Sequence, residues 1–286
     1  MIEFVLETLL LLPFLFATYL VLEAVEAHSG GALERFLERS RSVGPLAGAL
    51  AGIIPQCGVS AAAASFYAGG VMSVGALLAV FLSTSDELVP VLISAAPQVG
   101  VDVLLRIVGL KAVAAVAVGF AADGLLLFMR HRRRSVSIGE LCRHSRCHCA
   151  EHGGIVMPAL IHTGEVFLFI LIVSGAVELC LHYFGLEQVS GFCRHSRLGG
   201  SLLAGLLGMI PNCAVSVAGA QLFAEGAIGP EALMASSFTG SGVGIIVLLR
   251  TNRNWRENLA IVLAIYVIGT VLGMACGGLI APVAAN

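Results

Sequence analysis

Two carboxylates interrupt an apolar run where lipid would be expected: Ser83-Thr84-Ser85-Asp86-Glu87. Charge at that depth is costly and by default marks an ion path or a proton relay. Asp86 is the first candidate for binding a cation or exchanging a proton, and Glu87 the second. The plainer alternative is a carboxylate neutralised by Arg106 or Lys111. A second group is Pro55-Gln56-Cys57-Gly58-Val59-Ser60, matched 156 residues later by Pro211-Asn212-Cys213-Ala214-Val215-Ser216. Cys57 and Cys213 are soft ligands, Ser60 and Ser216 hard ones, and Gln56 and Asn212 offer amide carbonyls. A third is a loop holding Cys142, His144, Cys147, His148, Cys149 and His152. Thiol and imidazole so dense suit zinc or a thiophilic metal, although the irregular spacing implies no structural zinc fold. His162 and Glu165, three apart on one helix face, form a weaker ligand pair.

The repetition extends well beyond the motif. Residues 52–92 align without a gap on 208–248, and 16 of the 41 pairs are identical, which marks a duplicated unit. The stretch matching Ser83 to Glu87 is Thr239-Gly240-Ser241-Gly242-Val243, so hydroxyls persist (Ser83, Ser85, Thr239, Ser241) while the charge is lost.

The elements that carry these residues are membrane helices. Of 286 residues 58% are hydrophobic and 12% charged, with a mean hydropathy of +0.95. A soluble domain would hold about a quarter charged residues. Apolar runs of membrane length recur at 4–25, 44–68, 71–97, 101–129, 155–184, 199–224, 228–249 and 257–280, and a run of about 20 residues spans a bilayer. A membrane barrel would show short segments alternating in polarity, and these are absent from the sequence. Glu3 and Glu7, with no basic start or cleavage site, make the first run a retained helix rather than a signal peptide. The link at 26–41 reads as an interfacial helix with its arginines among headgroups. Eight cysteines spread over spans and one loop do not resemble a disulfide framework.

Proline at 55 and 211 removes a backbone donor and breaks each helix near the middle of its run. Broken helices at matching places in two halves point to a midplane solute site. The plainer reading is a pair of kinks satisfied by neighbouring helices. Small residues four apart, Gly44/Gly48/Gly52, Gly200/Ala204/Gly208 and Gly269/Gly273/Gly277, predict close helix contacts. Arginines concentrate at 35–41, 130–146 and 250–256, and the positive-inside rule puts all three on the cytoplasmic face. That holds only if 44–68 dips in and returns, with the second half doing likewise. Three crossings per half then make the halves antiparallel.

The expected fold is therefore all-α: a polytopic membrane protein with two inverted repeats and broken or re-entrant helices. The divisions are 1–129, first repeat; 130–154, cytoplasmic Cys/His/Arg-rich loop; and 155–286, second repeat. No Walker or dinucleotide-binding glycine pattern and no nucleophile–base pairing is present, so no enzyme is predicted. Nor is any cofactor, beyond a transition metal ion as substrate.

Ile54-Pro55-Gln56-Cys57-Gly58, Ser83 to Glu87, the Cys147-His148-Cys149 loop and Ile210-Pro211-Asn212-Cys213 together resemble the ten-transmembrane heavy-metal exporters. Members of that family are often labelled manganese transporters or arsenic efflux proteins. The resemblance implies a multi-pass exporter of the cytoplasmic (inner) membrane and carries over Pro55, Gln56, Cys57, Ser85, Asp86, Pro211, Asn212 and Cys213 as motif positions. Membrane lipid and the transported metal or metalloid are the expected partners, and nucleic acid is not. A homodimer is left open. The loop is poorer in histidine and acidic residues than the family leads one to expect, which weakens a metal role there. The leading expectation is secondary export of a divalent heavy metal or metalloid. An oxyanion exporter (arsenite, arsenate or phosphate) is the alternative, and a membrane metal sensor a third.

Overall fold

The structure, a computed structural model, describes residues 43–54, 57–85, 88–94, 100–128 and 197–284. It also describes helical positions 12–13, 16–17, 20, 156–157, 159–161, 163–164, 167–168, 171–172 and 175; at 57, 197, 213, 214 and 281–284 only the backbone is described. All the regular elements among these residues are helices. The first half contributes α1 (Gly44–Gly52), α2 (Cys57–Ala68), α3 (Val74–Ser83), α4 (Leu88–Ser94) and α5 (Val101–Phe128). The second contributes α6 (Arg197–Gly208), α7 (Cys213–Ala224), α8 (Pro230–Thr239), α9 (Gly244–Thr251) and α10 (Trp255–Ala284).

The duplication read from the sequence extends to individual backbone bonds. Ile54 N donates to Ala51 O, and Ile210 N to Leu207 O, closing α1 and α6 with the same tight turn. Helix α2 ends with Gly70 at φ 77°, and its counterpart Gly226 stands at φ 71° after α7. Each glycine donates to the carbonyl three residues back, while Val71 and Ala227 reach Phe66 O and Leu222 O. That pair of bonds stops a helix only where a residue can adopt the left-handed region, which glycine does without strain.

Four stretches among the described residues are long and apolar enough to cross a membrane. Val101–Phe128 and Trp255–Ile280 are 33% buried by their neighbours, whereas Val74–Ser94 and Pro230–Thr251 are 75% and 89% buried. The first two therefore face lipid and the last two form the centre. On α10 the outward residues recur every fourth position, Trp255, Leu259, Leu263, Val267 and Val271, the stripe expected of a helix facing hydrocarbon. Helix α5, with 28 residues at about 1.5 Å each, measures about 42 Å and exceeds the roughly 30 Å hydrocarbon core.

Glycine contacts set the path of the chain. A Cβ on Gly48 would meet Ala76 O and Val80, and one on Gly52 would meet Val80 O and Ser83, so α1 and α3 run parallel. The chain must come back between them, and α2 is the return. Helices α1 and α2, of 9 and 12 residues, are each too short to cross a bilayer alone. Helix α10 packs along α8 in the opposite sense, with Gly269, Gly273 and Gly277 against Thr239, Ala235 and Glu231 in turn. Lipid offers no hydrophobic drive for helices to associate, so close backbone approach has to supply it.

The halves interlock rather than sit side by side. Helix α2 of the first packs on α9 of the second, and α7 of the second packs on α4 of the first. Both cores are mixed in the same way. One joins Tyr67, Phe81 and Leu77 to Val247 and Ile261, and the other joins Leu88, Leu92 and Ile107 to Phe223 and Met234. Tyr67 Oη donates to Glu257 Oε1, tying α2 to the start of α10. Asp123, which sequence position suggests is solvated near a segment end, instead caps α3: it accepts from Ser73 Oγ (2.6 Å) and Gly75 N (2.8 Å).

Gly273→Ala should lower stability by about 1–3 kcal/mol, because the added Cβ would lie 2.3 Å from Ala235 Cα. Gly278→Ala on the same helix meets nothing within 4 Å and should be neutral. Thermal melting of the two purified variants in detergent checks the contrast; equal melting temperatures would contradict the α8–α10 contact.

A hydroxyl-lined candidate site between the halves

Each central span is interrupted. Helix α3 stops at Ser83 because Thr84, its C-cap, turns extended (ψ 128°) while its N–H still reaches Val80 O. Helix α8 stops at Thr239, where Gly240 likewise turns extended and donates to Ser236 O. The chain resumes as α4 and α9 after residues 84–87 and 240–243. Non-helical backbone inside a membrane is tolerated where it is buried in protein or lines a cavity. Here it does both.

A small cavity opens where the end of α3 meets α7 and α8. Its walls include Thr84, Ser85, Ser216, Ser236, Ser237 and Gly240, with Leu88 and Leu233 as apolar flanks. The space open to the centre of a water-sized sphere is about 10 Å3, room for one water or one dehydrated ion. The walls come from both halves, so neither could build the site alone.

Lys111 stands at the wall. It is buried at 1% exposure in the middle of α5, and its Nζ donates to Thr84 O (2.6 Å), Ser237 O (2.8 Å) and Ser237 Oγ (2.5 Å). The ring of Phe238 lies 5.7 Å from the ammonium, within cation–π range. Thr84 O and Ser237 O are backbone oxygens at the carboxyl ends of α3 and α8, where the helix dipoles are negative. One ammonium therefore joins matching helix ends of the two halves. On α5 and α10 the equivalent glycines Gly119 and Gly273 pack on the equivalent residues Ala79 and Ala235, which sets Lys111 opposite Ile265, a fully buried apolar side chain, so this cation has no duplicate.

The candidates read from the sequence divide into three groups. Ser85 and Ser216 line the cavity. Ser60, Ser83, Asn212, Thr239 and Ser241 are buried but do not line it. Of these, Ser83 bonds Val80 O and sits against Gly52, and Thr239 bonds Gly205 O at 2.7 Å and sits against Gly208, so both serve the helix contacts. Ser60 lies beneath Gly244. Ser241 Oγ is fully buried and meets no hydrogen-bond partner. Pro211 stands in the turn between α6 and α7, and Cys57 and Cys213 are the first residues of α2 and α7. Pro55, Gln56, Asp86, Glu87, His162, Glu165 and the loop candidates Cys142, His144, Cys147, His148, Cys149 and His152 lie outside the described residues. Among the described residues no three His, Cys, Asp or Glu come together to hold a metal.

Sequence reasoning missed Thr84, Ser236, Ser237 and Lys111 as parts of this site. A usable signal was present in the ungapped alignment of the halves, where Val80 and Phe81 stand opposite Ser236 and Ser237. Val80 and Phe81 are fully buried, and the Phe81 ring edge reaches within 2.7 Å of where a Cβ on Gly244 would be. The first-half counterpart of the cavity is thus occupied by an aromatic ring.

The family model for the "putative, 10TM heavy-metal exporter" family matches residues 9–196 of the 286. The chain belongs to that family. The match covers the first half, the Cys/His loop and the approach to the second half, and it stops just before the second copy of the motif. No curated protein and no solved structure matches the chain. The protein is therefore a multi-pass membrane member of a heavy-metal exporter family, all-helical, with its polar interior at the seam between two halves.

Phe81→Ala should destabilise the protein by about 3–5 kcal/mol, the usual cost of an emptied aromatic site. Denaturant or thermal unfolding measures this. A loss under about 1 kcal/mol would mean that the ring does not fill the counterpart chamber.

Proposed function

We propose that this family member is a secondary transporter of the cytoplasmic membrane that exports a divalent heavy metal, manganese-like in its hard-ligand chemistry, or a metalloid. The observation that carries the reading is the hydroxyl-lined cavity at the seam, formed where two equivalent helices break. Its described walls offer hydroxyl and backbone oxygens, which suit hard divalent ions. Its size suits one ion stripped of most of its water. Asp86, which follows Ser85 in the chain, would add the negative charge that a cation needs there, and Cys57 and Cys213 would add softer ligands. The absence of a nucleotide-binding motif from the sequence leaves an ion gradient, or the cargo's own, to drive the cycle.

The exchange of packing partners between halves supports a two-fold relation between them. With the three arginine clusters on one face, that relation becomes an inverted repeat. Alternating access would then rock one half against the other about the cavity. The Cys/His loop at 142–152 would collect metal on the cytoplasmic side.

One observation favours the alternative, an oxyanion such as arsenite, arsenate or phosphate: the Lys111 ammonium at the cavity wall. Beside that one ammonium, the described walls hold hydroxyl and backbone oxygens, which suit a hard cation better than a multiply charged oxyanion.

Everted membrane vesicles loaded with tracer separate the two readings. Radioactive manganese should accumulate when a gradient is imposed, and arsenate or phosphate should not; accumulation of the oxyanion alone would reverse the assignment. Ser237→Phe, which places in the chamber the ring that fills its counterpart, should abolish uptake while the protein reaches the membrane in normal amount. Undiminished uptake in that variant would remove the chamber from the transport path. Asp86→Asn should abolish metal resistance in growing cells at unchanged protein level, and resistance equal to the parent would remove Asp86.

A further inference from the structure

Lys111 has a geometry that transport of a metal does not require. Its nitrogen sits among Thr84 O, Ser237 O and Ser237 Oγ at 2.5–2.8 Å. These oxygens belong to two helix carboxyl ends, where partial negative charge accumulates. Such a cluster, closed off from water at 1% exposure, is a cation site by its electrostatics. These are the lengths of ordinary N⁺–H···O hydrogen bonds, so the cluster is shaped to an ammonium, and a cation that replaces it has to be monovalent and of about that size; magnesium, which takes its oxygens at about 2.0–2.1 Å, is too small to reach them all.

We propose that the oxygens around Lys111 Nζ form a monovalent-cation site, built from the ends of α3 and α8, which the chain occupies with its own side chain. The tethered ammonium supplies a fixed positive charge at the seam, so the protein needs no soluble ion at that position to hold the two halves together. Removing the ammonium exposes the site. Thr84 O and both Ser237 oxygens then lose a charged donor in a place that water reaches poorly, which is destabilising, and a small cation from solution can take over. Backbone carbonyls that replace an ion's hydration shell hold potassium in the same way in channels.

The site stands independently of the export reading, and its main test contains no cargo. Lys111→Ala, purified in detergent, is melted in potassium, sodium, methylammonium and choline chlorides at equal ionic strength. Potassium or methylammonium should raise its melting temperature saturably, by an amount on the order of several degrees. Choline, too large for the cluster, should not, and the parent protein should melt alike in all four salts. Lys111→Met, which keeps the stem and removes the charge, should respond in the same order with a smaller rise. Identical melting of Lys111→Ala in potassium and choline overturns the proposal, as does an equal potassium response in the parent. Where Lys111→Ala accumulates too poorly to purify, extraction yields with methylammonium and with choline replace the melting curves; equal yields also overturn it. In vesicles, cation-dependent recovery of manganese uptake by Lys111→Ala would extend the site to transport, while absence of uptake by the parent protein would count against the export reading and leave the melting result standing.

Discussion

A helix that stops inside a membrane leaves carbonyls that lipid cannot satisfy, and in this protein both central spans are interrupted, after Ser83 and after Thr239. The constraint is severe, since each unmet backbone group in hydrocarbon costs several kcal/mol. Both endings are met by local turns and by protein oxygen and nitrogen, and at the seam by one ammonium. Lys111 donates to Thr84 O and Ser237 O, so the two interrupted spans are held at their weakest points by a single side chain. The interlocked packing of α2 on α9 and of α7 on α4 follows from the same need. A half-length helix cannot bury its own ends, and the other half supplies the cover.

The polar chamber is a consequence of this arrangement. Where four helix segments meet with small residues, the space between them is set by side-chain volume. In the second half that volume is Ser236, Ser237 and Gly219; in the first it is Val80, Phe81 and Ala63, all buried. Gene duplication would yield two equal chambers, and divergence has kept one open and packed the other. The packed side then serves as a rigid wall: Phe81 lies on Gly244 and joins the cluster that includes Tyr67, Val247 and Ile261. An asymmetric pair of this kind gives one solute site and one firm support from the same pattern.

Much of this was legible in the sequence. Pro55 and Pro211, with the 156-residue offset, pointed to the interval between α1 and α2 and its equivalent between α6 and α7, and the structure repeats that offset in α2 and α7, in α3 and α8 and in the turns that join them. Periodic glycines at 48 and 52 and at 269, 273 and 277 named the tight contacts correctly. The second pair of breaks was legible as a cluster of hydroxyls, though not which of them faces the cavity. Ser83 and Ser85 are two apart, yet Ser83 is spent on the α1 contact and Ser85 lines the chamber. That choice depends on where α3 ends, and a C-cap at Thr84 is a tertiary outcome. Lys111 was the harder case. A lysine in an apolar run reads as a topology signal or as a partner for a nearby carboxylate; that it also joins two helix ends was not legible, because Thr84 and Ser237 lie 27 and 126 residues away in the chain.

Ser241 shows how the two halves divide their work. Its equivalent, Ser85, bonds Ser83 O at 3.1 Å and borders the chamber, whereas Ser241 Oγ is buried with no partner. A buried hydroxyl left unmet costs about 1–3 kcal/mol, a sizeable fraction of the stability of a typical domain. Such a cost is retained most readily if the group is met in another arrangement of the same helices. Gly242 beside it holds a positive φ of 52°, so the segment between α8 and α9 is already bent into a conformation that only a few residue types tolerate. The first-half segment carries Asp86 at that position. The unmet hydroxyl and the left-handed glycine thus concentrate the cost of this arrangement at the break after α8, in the half that supplies most of the chamber wall.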